Sequence, residues 1–362
     1  MQVVSSSLVS GKKVILRYDI DVALRSSAEE SGKLVVGEEF KLRAGLETLK
    51  LCLENASKVI IVGHVGRPFA TALDEGKGLP KELSAEPIFE WFKQNVISEI
   101  EFAKTLEEAA QSKSKLVLLE NIRFFHGEVP GAEYHASCSS KTCDIDFAKQ
   151  LASLGDFYVN EAFSSHNIAA STTIVPTLLP HAAGLHFIKE VETLLKVRND
   201  PKKPFVAIMG GAKVKDKLPV IQVLAQKADA VLVGGKLIGE IREQNLTLPK
   251  NVLGGKLSDD GFDIASETVS AWGTLISKAA EIVWNGPLGK FEDPKYDQTQ
   301  KIAEMILDSG AEIVIGGGDS VAALNQYGLL QKAQSKGFVS VGGGAMLKLL
   351  SDGTLPTIEA LK

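Results

Sequence analysis

The chain is punctuated by short runs of Val, Ile and Leu that do not alternate with polar residues. Nine stand out: Val14–Leu16, Val59–Val62, Leu116–Leu119, Phe157–Val159, Phe205–Ile208, Ala230–Val233, Glu281–Trp284, Ile313–Ile315 and Phe338–Val341. A strand with one solvated face alternates, so uninterrupted runs predict strands covered on both faces, as in a parallel sheet clad with helices. The stretches between the runs carry helical spacing, as at Phe187, Val191, Leu194 and Leu195, which fall at i, i+4, i+7 and i+8. Alternating strand and helix predicts an α/β fold of doubly wound parallel sheets. At 362 residues the chain exceeds one comfortable core, and two lobes are expected. The polar stretch Arg198–Pro204, which contains Pro201 and Pro204, is the clearest break. It predicts a first lobe over 1–185, an interdomain helix and linker over 186–204, a second lobe over 205–345, and a C-terminal segment over 346–362.

Composition narrows the function. Forty Lys and Arg against 45 Asp and Glu give a net charge of −5, spread along the chain. A partner of nucleic acid or anionic membrane would call for concentrated positive charge, so neither is expected. Three cysteines are too few for a disulfide scaffold of this size. Met1–Ser10 is Ser-rich without an apolar stretch, and no window approaches 18 apolar residues. A cytoplasmic protein is expected.

In open parallel sheets, ligands bind beyond the carboxyl ends of the strands. In the first half the runs lead into Arg17-Tyr18-Asp19-Ile20-Asp21, Gly63-His64-Val65-Gly66-Arg67-Pro68, Glu120-Asn121-Ile122-Arg123 and Asn160-Glu161. Arg17, Arg67 and Arg123 with His64 suit a small anion such as a phosphorylated carboxylate, because a guanidinium donates two parallel hydrogen bonds. The alternative is structural pairing of these arginines with Asp19, Asp21 and Glu120. In the second half the runs lead into Gly210-Gly211-Ala212-Lys213, Gly234-Gly235, Asn285-Gly286-Pro287, Gly316-Gly317-Gly318-Asp319-Ser320 and Gly342-Gly343-Gly344. Glycine turns entering helices let backbone N–H groups approach phosphate. With Lys213, Lys217 and Asp319 nearby they read as a polyphosphate site with a Mg²⁺ carboxylate, although neither a Walker A nor a Rossmann glycine pattern is present. An anion site in one half and a polyphosphate site in the other imply phosphoryl transfer across a cleft that closes against water.

At these same residues the chain resembles the phosphoglycerate kinase family. The segments Trp284–Glu292 (WNGPLGKFE), Gly316–Ser320 (GGGDS) and Val341–Ala345 (VGGGA) carry the resemblance most specifically, and it runs in order through nearly the whole length. It implies a two-lobed, hinge-bending kinase that moves a phosphoryl group reversibly between 1,3-bisphosphoglycerate and ADP with Mg²⁺. The implied partners are 3-phosphoglycerate or 1,3-bisphosphoglycerate and ATP or ADP, and the implied state is a monomer whose C-terminal segment returns to the first lobe. By motif position, Asp19, Asp21, Lys41, His64, Arg67, Arg123 and Asn167 would hold phosphoglycerate. Lys213, Lys217, Glu292, Gly317, Gly318, Asp319 and Ser320 would hold the nucleotide, Asp319 through the metal. Lys41, Lys213, Gly342, Gly343 and Gly344 would act at the transferring group.

Several positions depart from the family's pattern. Asp21 stands where Asn is usual in Asp-x-Asn, Lys41 where Arg is expected, and Asn167 where a substrate-binding Arg is expected. Part of the nucleotide-side segment after Gly239 is missing. These departures leave open a degenerate paralogue that binds its ligands with little turnover; a dinucleotide-dependent dehydrogenase is weakened by the missing glycine fingerprint. The loop bearing His126, His135, Cys138 and Cys143 carries zinc-type ligands at a spacing that matches no standard module, and is read as a metal site, as a Cys138–Cys143 disulfide, which a reducing cytoplasm disfavours, or as unlinked loop residues.

Overall fold

A computed structural model describes residues 1–28, 32–68, 80–129 and 141–362, with side chains left out at 141–144. His135, Cys138 and the Cys143 side chain lie outside the described residues, so the metal reading of that loop is not met by any geometry. The chain divides into two compact units, Met1–Lys189 with Leu355–Lys362, and Glu190–Thr354.

The first unit contains β1 (Lys13–Arg17), β2 (Leu24–Ser26), β3 (Leu34–Val36), β4 (Lys58–Val62), β5 (Ile100–Ala103), β6 (Leu116–Leu119), β7 (Phe157–Asn160) and β8 (His181–Ala183). Six of these form one parallel sheet in the order β5-β6-β4-β1-β7-β8, and β2 and β3 pair as a small antiparallel ribbon. In the central pairing Val14 stands beside Val59 on one side and Phe157 on the other. Every residue of β6 and β7 is buried, as are four of the five in β1 and β4. That burial on both faces is why the sequence shows no alternation there.

The second unit contains β9 (Phe205–Met209), β10 (Ala230–Val233), β11 (Val252–Gly254), β12 (Glu281–Asn285), β13 (Glu312–Gly316) and β14 (Phe338–Val339). They form a parallel sheet in the order β11-β10-β9-β12-β13-β14. In each sheet the first long strand, β1 or β9, has later strands laid down on both its sides. The strand order therefore reverses next to it, and the carboxyl ends there diverge to leave room for a ligand.

The division between the units falls at Lys189–Glu190, inside the helix Leu185–Asn199 and ahead of the proline cluster. The second half of that helix is tied to the second unit: Glu190 accepts from the Val341 N–H, Lys196 pairs with Glu312 at 2.7 Å, and Arg198 donates to the Leu350 carbonyl. Proline ends the helix, but packing decides which unit owns it. Likewise Gly343–Asp352 is a helix of the second unit, and only Leu355–Lys362 groups with the first, nine residues later than the expected start at 346.

Candidate active site

In the first unit the carboxyl ends of β1, β4, β6 and β7 gather charge. Arg17 is the last residue of β1 and is fully buried. Its donors are already engaged: Nε to Ser171 Oγ at 3.0 Å, Nη1 to the Tyr18 carbonyl at 2.9 Å, and Nη2 to His64 Nδ1 at 2.8 Å. A guanidinium can only donate, so Nδ1 of His64 accepts and the ring proton sits on Nε2, which faces Asp21 Oδ2 at 3.6 Å. Burial takes the His64 imidazole down to about 4; the Asp21 carboxylate opposes this, and the Arg17 and Arg123 cations add to it. The ring is therefore neutral near pH 7. Burial pushes the Asp21 carboxyl up, yet His64, the Gly66 N–H at 2.8 Å and Lys41 outweigh it and hold Asp21 well below the usual range.

Arg67 and Arg123 line a cavity of about 180 Å³ with His64, Asp21, His166 and Asn167. Arg123 is set in place by a 2.6 Å hydrogen bond to the Gly66 carbonyl, and its backbone N–H is capped by Asn121 Oδ1. All three arginines line the cavity; Arg17 is buried there with its donors engaged by the protein, whereas Arg67 is exposed and Arg123 half-buried. Asn167 is exposed, and its carbonyl accepts from Thr172 Oγ1 at 2.9 Å. Asp19 is buried and accepts from the Ser164 hydroxyl. Lys41 Nζ donates to the Asp21 carbonyl at 2.9 Å and lies 3.8 Å from Asp19 Oδ1, so it braces the 19–21 loop and does not line the cavity. Glu120 is structural: it accepts from Ser84 Oγ and from the N–H groups of Ala85 and Asn121.

Glu128, which the sequence reading passed over, is buried against the same cavity. It accepts from the N–H and hydroxyl of Ser171, at 2.9 and 2.6 Å, and so continues the chain from His64 through Arg17 and Ser171. Burial raises its carboxyl above the ordinary value, with Arg17 pulling the other way. Its sign was available in the sequence, five residues after Arg123 in the same strand-end segment.

In the second unit glycine does the work of the side chains. A Cβ at Gly210 would sit 2.2 Å from the Pro287 carbonyl oxygen, and one at Gly286 would sit 2.4 Å from that of Gly210. The turns after β9 and β12 therefore close backbone against backbone, which only glycine allows. Lys217 is buried beneath them, donating to the Gly210 carbonyl and, at 3.3 Å, to Asn285 Oδ1. Burial lowers its ammonium to about 8, with Asp319 and Asp216 acting in the opposite sense. Lys213 is exposed at the head of the helix Val214–Ala225, with φ at +69°, and the first N–H groups there are held by Glu240.

The helices Gly318–Gln326 and Gly343–Asp352 begin side by side, for a Cβ at Gly343 would lie 2.6 Å from Gly317 Cα. Their first turns offer backbone N–H groups with no partner inside the helix. Gly342 is buried at the head of the second helix, while Gly344 is exposed in its first turn. Ser320 is buried and braces two strand ends, accepting from the Gly286 N–H at 2.7 Å and donating to the Gly316 carbonyl at 3.0 Å. Asp319 and Glu292 line a cavity of about 380 Å³ with Lys236, Lys290 and Phe262. The last three were not singled out from sequence, although Lys236 directly follows the Gly234-Gly235 turn after β10.

The family model described as phosphoglycerate kinase matches residues 4–249 and 242–353. The chain belongs to the phosphoglycerate kinase family. Among curated relatives, the phosphoglycerate kinase of Desulfovibrio desulfuricans is 33% identical, covering 98% of this chain and 97% of its own. That of Salinibacter ruber is 35% identical over the same shares of each chain. The solved phosphoglycerate kinase structure from Coxiella burnetii superposes with a TM-score of 0.76 at 26% identity, covering 98% of this chain and 96% of its own. The two stretches of the family match overlap over residues 242–249, just beyond Gly239.

Proposed function

We propose that this phosphoglycerate kinase family member moves a phosphoryl group reversibly between 1,3-bisphosphoglycerate and ADP, giving 3-phosphoglycerate and ATP. The observation that carries the reading is that one chain of this family presents both a guanidinium-lined cavity and a set of glycine turns opening helices. Arg67 and Arg123 hold the phosphorylated carboxylate, for which their planar forks are suited. Neutral His64, fixed by Arg17, offers an N–H rather than a charge, and Asp21 accepts from a ligand hydroxyl. In the second unit the helix starts at Gly318 and Gly343 meet the nucleotide phosphates, and Lys217 backs the turns with positive charge. Cations and N–H groups aimed at the equatorial oxygens lower the barrier to transfer.

The residues fit Mg²⁺ carried in with the nucleotide. Asp319 is an exposed hard-oxygen donor on the cavity wall, and the described residues gather no group of three or more His, Cys, Asp or Glu that would form a cage of their own. Mg²⁺ takes few protein ligands and completes its shell with phosphate and water. When bound it neutralises phosphate charge, and Asp319 would hold it.

Lys41 supplies its positive charge from the 19–21 loop, as a point charge where the family's guanidinium is expected. Lys41→Ala should lower turnover and Lys41→Arg should raise it; equal rates in all three proteins would remove Lys41 from the reaction. The whole reading is tested by a coupled assay with 3-phosphoglycerate, ATP and Mg²⁺, run in both directions. Turnover is expected, and ligand binding without turnover would instead support the degenerate paralogue.

A further inference from the structure

Glu128 is buried against the first unit's cavity, and each of its carboxylate oxygens is already bonded within the protein. One accepts from the Ser171 hydroxyl at 2.6 Å and the other from the Ser171 N–H at 2.9 Å. The Glu128 carbonyl accepts in turn from the Ala170 N–H at 2.8 Å. Burying a carboxylate is costly unless a charge answers it, so the cation that Glu128 serves has to be found.

That cation is Arg17. Among the described residues its guanidinium donates only to neutral acceptors: the Ser171 and Ser165 hydroxyls, the Tyr18 and Val62 carbonyls, and His64 Nδ1. Two arms of the fork each lead, one group further on, to a carboxylate. Nε leads through Ser171 to Glu128, and Nη2 leads through His64 to Asp21. Ser171 has one hydroxyl proton, which it gives to Glu128, so its lone pairs are left for Arg17 Nε. The guanidinium is planar and rigid, so fixing Nε on Ser171 and Nη1 on the Tyr18 carbonyl also fixes where Nη2 points. It points at His64 Nδ1.

We infer that Glu128 is a positioning residue for the phosphoglycerate site: through Ser171 it holds the Arg17 fork in register, which keeps His64 Nδ1 an acceptor and the ring proton on Nε2 at the cavity. The inference rests on the phosphoglycerate reading of this cavity given above. It also says why the residue is a glutamate. Ser171 offers two donors, and a carboxylate meets one with each oxygen, whereas an amide of the same shape has a single oxygen to offer. Glu128→Gln should therefore loosen Ser171 with little change of volume, and the looseness should pass along the bonds to His64.

The test uses the full chain with isotope-labelled histidine, whose ring-nitrogen NMR signals report protonation and hydrogen bonding. The His64 signals are identified as those lost in His64→Gln. In the parent, Nδ1 should show as a hydrogen-bonded acceptor and Nε2 as protonated. Glu128→Gln and Ser171→Ala should each move Nδ1 toward a free lone pair. Each should also weaken 3-phosphoglycerate binding in calorimetry at least about ten-fold, the effect of one hydrogen bond to a charged group. Because the two residues act in one chain of bonds, the double variant should bind no worse than the weaker single one. MgATP binding, which belongs to the second unit, should keep its parental strength in all three, as a general loss of structure would not allow. The inference is overturned if His64 keeps its parental signals in both single variants, if the two losses add, or if MgATP binding falls in step with that of 3-phosphoglycerate. Should Glu128→Gln fail to fold, Ser171→Ala decides the matter by its His64 signals, since it removes one hydroxyl alone. A parent that binds no 3-phosphoglycerate would sink the functional reading, while the His64 signals would still decide whether Glu128 positions the ring.

Discussion

The two units build an anion site on the same kind of scaffold and from opposite materials. Each has six parallel strands that reverse order beside a central strand, and each places its site at the carboxyl ends around that point. The first unit uses side chains held by hydrogen bonds: Arg17 to His64 and Ser171, Asp21 to the Gly66 N–H and, through its carbonyl, to Lys41, and Arg123 to a carbonyl. The second uses backbone, with glycines where a Cβ would collide and one buried ammonium behind them. A side-chain site can be retuned one charge at a time, whereas a backbone site is set by the turns and resists retuning. The departures from the family's pattern at Lys41, Asp21 and Asn167 fall in the first unit and change one side chain each, whereas the one expected after Gly239 in the second unit changes the length of a segment.

The contrast is sharpest at Asp319, the one carboxylate assigned to metal. Asp319→Ala should cost at least about a hundred-fold in kcat, since a metal on transferring phosphate contributes several kcal/mol. Binding of 3-phosphoglycerate in the first unit, followed by calorimetry, should be nearly intact. Parental turnover in that variant would take Asp319 out of the mechanism and leave the backbone site without its metal.

The second unit's ligand binding should titrate where the first unit's does not. Lys217 at about 8 loses its charge as pH rises, so KM for nucleotide should climb about ten-fold from pH 7 to pH 9 in the free enzyme's profile. Lys217→Arg should flatten that climb. His64, held neutral chiefly by burial, should contribute no such change in KM for 3-phosphoglycerate over the same range, and a matching climb there would break the comparison.

Removing a negative charge should improve the first site modestly. Asp21→Asn keeps an acceptor for the Gly66 N–H while deleting an anion beside the Arg67 and Arg123 cavity. A fall of about three-fold in KM for 3-phosphoglycerate is expected, the scale of one partly screened charge. A rise would show that the carboxylate itself binds substrate.

The last effect concerns stability alone. Burial pushes Glu161 up to about 8 against an ordinary 4.5, even though it accepts from the His186 and Phe187 N–H groups. A raised carboxyl binds its proton more tightly in the folded state, so its contribution is complete below about 4.5 and is lost as pH rises through 8. Glu161→Gln should flatten that decline, measured as denaturation midpoints at pH 5, 6.5 and 8. An unchanged slope would move the titration elsewhere.

The buried strands were legible because burial on both faces writes itself as an unbroken apolar run. β5, β8 and β11 were missed, and each lies at the edge of a sheet, where one side is open and the pattern thins. The strand-end arginines and glycines were legible too, since the parallel fold puts every strand end at one rim. What the sequence could not say was the use of each: Arg17 and Arg67 look alike in the chain, yet one is buried and braced and the other exposed on the cavity. Ser320 reads as a phosphate ligand beside GGGD and is instead a brace between two strands.

The order of apolar runs and turn residues by itself determined the class of fold, the two lobes and the rim where chemistry collects. Local pattern suffices for that, because strand burial and turn geometry are imposed residue by residue along the chain. Only the tertiary structure decided which charge is spent inside the protein and which is left for a ligand. It also decided that Glu128 joins the Arg17 network and that Phe262 faces a cavity. Each of these depends on partners distant in sequence, as Arg17 on Ser171 or Asp260 on Lys295, and no local pattern records which of many possible partners a side chain meets.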